Sequence, residues 1–127
     1  MPEETFVAAN GDTVFICPAE GPRITDTGSA LDLLGDAAAS GATVVALPAE
    51  RMGEEFFSLR SGLAGEVVQK FTQYGTRLAV LGDISAHVEQ STALRDFVRE
   101  ANRGRHVWFV ESWKGLEDKL AQARPLA

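Results

Sequence analysis

The 127-residue chain reads as an α/β protein built on a mostly parallel sheet of five strands. Three observations predict it. Apolar strand-like runs alternate with amphipathic helical stretches, as β-α-β crossovers require. The runs TVVAL (43–47), RLAVL (77–81) and HVWFV (106–110) are short and nearly continuous in apolar residues, as expected of strands covered on both faces. An Asn10-Gly11 pair lies between residues 5–9 and 13–17, a hairpin signal that places an antiparallel pair at the amino-terminal edge. The predicted order is β-β-α-β-α-β-α-β-α, in one domain spanning residues 1–127, without repeats, low-complexity tracts or linkers.

Each element has its own local reason. After the hairpin comes a loop rich in Gly, Pro and Asp. Ser29 is a fitting N-cap for a helix reaching about residue 40, with Asp32 in its first turn and Gly41 as its stop. The strand at 43–47 leads into PAERMGEEFFSLR (48–60), a loop or short helical turn whose Phe56, Phe57 and Leu59 are expected to plug the core. A helix is predicted over 61–74, a strand over 77–81 closed by Gly82-Asp83, and a helix capped by Ser91 and ended by Gly104. After the strand at 106–110, Ser112 caps a last helix with Trp113, Leu116 and Leu120 on one face.

Composition narrows the function. A net charge of −6 argues against nucleic acid as a partner, because such proteins present a basic face. Cys17 is the single cysteine, and His87 and His106 lie in no metal-ligand spacing, so neither a disulfide nor a zinc site is expected, and no cofactor is implied. The opening MPEETF lacks a basic or apolar leader, and no apolar run approaches the ~20 residues of a membrane span. A cytoplasmic protein without a membrane partner is the expectation.

The helix RSGLAGEVVQK (60–70) carries the sharpest signal. Stepping 100° per residue puts Leu63, Ala64, Val67, Val68, Phe71 and Tyr74 on one arc and Gly62, Gly65, Glu66, Gln69, Lys70, Thr72 and Gln73 on the other. The glycines thus face outward, where they cannot be explained by close packing on the sheet. Either something approaches the backbone there, or the helix end tolerates them. Glu66 and Lys70 stand i,i+4, the ordinary spacing of a surface pair. Together with Arg60, Ser61 and Gln69 they also make a candidate binding surface around Gly62 and Gly65. Ser61 is first an N-cap, and second a possible phosphorylation site beside Arg60.

On the helix ALRDFVREANRG, the residues Ala93, Leu94, Phe97, Val98 and Ala101 form the core-facing arc. Arg95, Arg99 and Arg103 flank it, a solvated face with Asp96 and Glu100 opposite, or a weak anion-binding stripe. Ligands of parallel sheets sit beyond the strand carboxyl ends. Those ends carry Cys17-Pro18, Pro48 to Arg51, Gly82-Asp83 and Glu111-Ser112. Asp83 is the best-placed carboxylate, ordinarily an acceptor of turn N–H groups, and with Glu66 it is the catalytic candidate. Cys17 reads as a small buried apolar residue.

EEFFSLRSGLAGEVVQKFTQYGTRLAVLGDIS followed by ALRDFVREANRG resembles a small bacterial family known as a domain of unknown function, over most of residues 25–120. That family's pattern favours an acidic residue at the place of Ser58. The element order more remotely resembles STAS domains, the anti-sigma factor antagonists and their relatives. In those a serine before Gly-Leu at a helix start is phosphorylated by a partner kinase. RSGLAG places Ser61, Gly62 and Leu63 in that pattern, with Leu59-Arg60 where an aspartate usually precedes. The resemblance implies a non-catalytic regulatory module that meets a protein partner or a second copy of itself. The alternative is a small enzyme or small-molecule binder, with a pocket at the strand carboxyl ends walled by Phe56 and Phe57 and furnished by Asp83, Arg60 and Glu66.

Overall fold

A computed structural model describes residues 4–126; the acidic opening at 1–3 lies outside the described residues. Five strands form one sheet in the order β1 (Glu4–Val7), β2 (Thr13–Ile16), β3 (Val44–Pro48), β4 (Arg77–Leu81), β5 (Val107–Val110). The β1–β2 pair is antiparallel and the other three are parallel. The helices are α1 (Thr27–Ala39), α2 (Glu54–Phe57), α3 (Leu63–Gln73), α4 (Ser85–Glu89), α5 (Thr92–Arg103) and α6 (Trp113–Gln122), with 3-10 turns at Ala49–Arg51 and Leu59–Ser61. This is the predicted α/β order with α2 and α4 added.

From β2 to β5 the strands advance in one direction across the sheet. Right-handed crossovers then put α1, α3 and α5 on the same face. Strand alternation supplies that face with Phe15, Val45, Leu47, Leu78, Val80 and Phe109, against Leu33 and Leu34 of α1, Val67 and Phe71 of α3, and Leu94 of α5. The other face carries Val14, Val44, Ala46, Ala79 and Trp108 and is closed by α6 through Leu116 and Leu120. Phe56 and Phe57 are buried, as expected, and Leu59 packs partly against the same core.

Several boundaries and faces differ from the sequence reading. The α1 N-cap is Asp26, not Ser29: the Asp26 carboxylate accepts from Ser29 N at 2.8 Å, while Ser29 Oγ accepts from Asp26 N at 3.2 Å. Both are cap residues, and the capping box uses both, so the helix starts three residues earlier than a Ser29 cap would place it. Tyr74 is 62% exposed because it is the C-cap of α3, where the backbone leaves the helical arc. Ala93 is exposed in the first turn of α5. Ser91 and Ser112 cap as expected, accepting from Leu94 N and Gly115 N, both at 3.1 Å.

Candidate functional site

The start of α3 is built differently from a serine-capped helix. Its N-cap is Gly62, in the left-handed region at φ 78°, which explains glycine there from backbone conformation alone. Ser61 stands one residue earlier. Its hydroxyl accepts from Leu63 N at 3.1 Å and lies 2.6 Å from Glu55 O and 2.8 Å from Ser58 O, as their shared donor. Ser61 therefore ties α2 to α3 instead of capping α3.

Gly65 is another matter. It lies in the helix and is exposed, and a Cβ built on it would meet nothing within 4 Å. Neither packing nor backbone conformation within the chain asks for glycine at 65. Arg60, Ser61, Gly62, Glu66 and Gln69 are exposed around it, with Lys70 half-buried. The expected Glu66–Lys70 pair does not form. Glu66 Oε1 instead accepts from Thr27 Oγ1 at 2.8 Å, linking α3 to the start of α1. That contact spans 39 residues and is invisible to helical spacing. Gly35, on the outer side of α1, is a second exposed helical glycine with nothing within 4 Å of its Cβ position. Sequence reasoning passed over it, though the outward-arc test used on Gly65 would have found it.

Beyond the carboxyl ends of β3 and β4 lies a cleft of about 370 Å³ between the α2 segment and α4. Phe57, Ser58 and Arg60 form one wall; His87, Gln90 and Ser91 form the other, with Glu54 at the margin. The His87 ring stacks on Phe57 at 4.0 Å with planes 10° apart. Two of the predicted pocket residues, Phe57 and Arg60, are therefore in this cleft. Phe56 is in the core, and Glu66 and Asp83 are elsewhere. Asp83 Oδ1 accepts from Ser85 N at 2.9 Å, and that bond holds its carboxyl below the usual carboxylate range. Glu66 and Asp83 thus serve different neighbours, and the recess that Asp83 lines does not include Glu66. Arg51 is also committed: it is buried, with its guanidinium donating to Pro22 O at 3.0 Å and Pro18 O at 3.1 Å.

The Arg95, Arg99 and Arg103 stripe is exposed throughout, with Arg103 3.7 Å from Glu100. Cys17 is buried. Among the described residues no group of three or more His, Cys, Asp or Glu is placed to hold a metal ion, and no helix is long and apolar enough to cross a membrane.

One polar cluster had no counterpart in the sequence reading. Arg77 opens β4 facing the α6 side and is 1% exposed. Its guanidinium carbon lies 3.9 Å from the Trp108 ring centroid, its Nε donates to Arg105 O, and its Nη1 stands 3.7 Å from Asp12 Oδ2. Asp12 is fully buried and accepts from Asn10 Nδ2, Thr43 Oγ1 and Leu126 N at 2.9–3.0 Å. Lys119 Nζ sits 4.5 Å from the same indole centroid and donates to Asn102 O at 2.8 Å. Burial, and then the charge of Arg77, push the Lys119 amine below its ordinary value. The one available signal was an arginine opening an otherwise apolar strand.

The molecule is thus an α/β protein with a bare helix start beside a polar cleft at the conventional end of its sheet. It belongs to the family described as a domain of unknown function (DUF4180), whose pattern matches residues 9–120. No curated protein and no solved structure matches the chain.

Proposed function

We propose that the chain is a non-catalytic protein-binding module, STAS-like in its element order, regulatory, bacterial and cytoplasmic, which meets a partner chain over the start of α3. Gly65 carries the reading. Glycine costs a helix up to about 1 kcal/mol against alanine, and no described residue occupies the space a Cβ would take at 65. A partner backbone resting there would make use of that bare surface, with Arg60, Gln69 and Lys70 as polar rim. Ser61 takes part unmodified, since a phosphoryl group on its Oγ would turn anionic oxygens toward the carbonyls of Glu55 and Ser58.

The test places a photo-crosslinking residue at position 65, and as control at 114, on the opposite face, in cells that make the protein. A discrete adduct from 65 and none from 114 is expected, and Gly65→Trp should abolish that association while the unfolding temperature holds. Sedimentation of the purified chain then tells a second copy from a different partner. No adduct from 65, the same adducts from both positions, or association untouched by Gly65→Trp would refute the proposal.

A second reading is favoured by the cleft at the strand carboxyl ends, the usual ligand position in parallel sheets. Arg60 and Glu54 offer opposite charges, and His87 offers a ring nitrogen, to a small zwitterionic ligand. Amino acids at millimolar concentration should then shift the His87 ring resonances in wild-type protein and not in Arg60→Ala. Unmoved resonances in the wild type sink this reading and leave the first intact.

A further inference from the structure

A recess with an apolar floor lies at the opposite end of the sheet from the polar cleft. It occupies about 280 Å³ between α3 and α5, beside the first residue of β5. Its floor is Val68 of α3, Phe97 and Ala101 of α5, and Val107. Val68, Phe97 and Ala101 pack on the core from outside and remain half-buried, so their outer surfaces meet water. Water held against apolar walls is released when a ligand replaces it.

The rim adds a sign. Arg105 is exposed, and its guanidinium takes part in no ion pair or hydrogen bond among the described residues. Beside it, His106 Nδ1 lies 3.3 Å from Thr76 O. A carbonyl only accepts, so Nδ1 carries the hydrogen and Nε2 is left for another partner. Glu100, the one carboxylate on this rim, is engaged by Arg103 at 3.7 Å. The rim therefore offers one unneutralised cation above an apolar floor.

Gly104 also lines the recess. Its φ of −87° and ψ of −162° are open to any residue, so its backbone does not call for glycine. As to size, a cavity of about 150 Å³ holds benzene, so this recess has room for a two-ring body.

We propose that this recess binds a small aromatic carboxylate, its flat rings against Val68, Phe97 and Ala101 and its carboxylate at Arg105. Charge complementarity at the rim separates this occupant from a neutral one, and the floor separates it from a bare anion.

The test is a titration of the full chain with 2-naphthoate, followed by amide NMR, with 2-naphthalenemethanol and acetate as comparison probes. Saturable shifts are expected at Val68, Ala101 and Val107. Arg105→Gln should weaken binding about tenfold, the loss expected for one charge-assisted hydrogen bond. The alcohol should bind similarly more weakly than naphthoate, and acetate should leave the three amides unmoved. Ala101→Leu should block the recess; should that variant fail to fold, Thr72→Trp closes the mouth from an exposed helical position. No shifts with naphthoate, shifts confined to other regions, acetate equal to naphthoate, or affinity unchanged in Arg105→Gln would each overturn the proposal. So would a concentration-dependent dimer that buries Phe97.

Discussion

The two faces of the sheet are closed by different physics. The face under α1, α3 and α5 is apolar throughout, with Val45, Leu47, Leu78 and Val80 all at or below 1% exposure. Its stability comes from close packing, where each side chain contributes in proportion to the area it removes from water. The face under α6 is closed by a single helix, and it holds Asp12 and Arg77 at 0% and 1% exposure beside Trp108. Burying that pair is costly in itself, and the cost is offset from several sides: Asp12 takes three hydrogen bonds from other residues, Arg77 lies against the indole and donates to Arg105 O, and the Arg77 Nη1, which makes no hydrogen bond, stands 3.7 Å from the Asp12 carboxylate. Packing fails gradually when trimmed. A compensated charge fails abruptly when its partner is removed.

That contrast can be broken most severely at Asp12. Asp12→Ala is expected to cost about 3–5 kcal/mol in urea unfolding, as much as a large core truncation, because Arg77 is left buried without its counter-charge. Adding Arg77→Met should recover most of the loss. A single-variant cost below about 1 kcal/mol would show that the pair does not hold this face. On the apolar face Phe71→Ala is expected to cost about 3–5 kcal/mol through transfer and cavity terms, and no second substitution at a charged position should rescue it.

Smaller effects sharpen the difference. Ser91→Ala removes the α5 cap and should cost about 1 kcal/mol. On the outer side of the packed face, Gly65→Ala should raise stability by up to about 1 kcal/mol, whereas Gly62→Ala should lower it because alanine disfavours the left-handed conformation held there. Equal effects at 62 and 65 would contradict the distinction between the two glycines.

The smallest readout is the titration of Lys119, followed by NMR at its ε-carbon. Its folded pKa lies below the unfolded value, chiefly from burial. The folded state therefore carries its full penalty below the folded pKa, and the penalty is relieved as pH rises from the folded value to the unfolded one, above which neither state is charged. Arg77→Met should move the midpoint back only in part, since burial remains. A complete return would make Arg77 the main cause.

Most of the frame was legible in the sequence, and the reasons are local. Strand runs, the Asn10-Gly11 turn and the caps at Ser91 and Ser112 act within a few residues of chain. The outward position of Gly65 followed from helical geometry alone, whereas Gly62, stepped as a helical residue in the sequence, is the left-handed N-cap. What escaped was short or distant. The five residues of α4 bury no side chain and are too few to show a period. Glu66 found Thr27 on another helix instead of Lys70 on its own. The polar cleft joins Arg60 to His87 only through the folded sheet ends, and Asp12 meets Arg77 only after two crossovers, β2-α1-β3 and β3-α3-β4. Arginine at the first position of a strand ordinarily escapes to solvent; α6 and Trp108, both later in the chain, prevent that here.

The position of α6 has a consequence for how the protein is made. Synthesis runs from the amino end, and domains assemble as their parts emerge. Each crossover helix can settle on its strands soon after it leaves the ribosome, since β2-α1-β3 and β3-α3-β4 are nearest neighbours in the sheet. The opposite side has no cover until residues 113–122 have been added. Until then a nascent chain carries Val14, Val44, Ala46 and Ala79 without the helix that covers them in the finished fold. The last helix therefore completes a dehydration of the arginine that Trp108 begins, and the interval before its arrival is when chaperones have an apolar surface to hold.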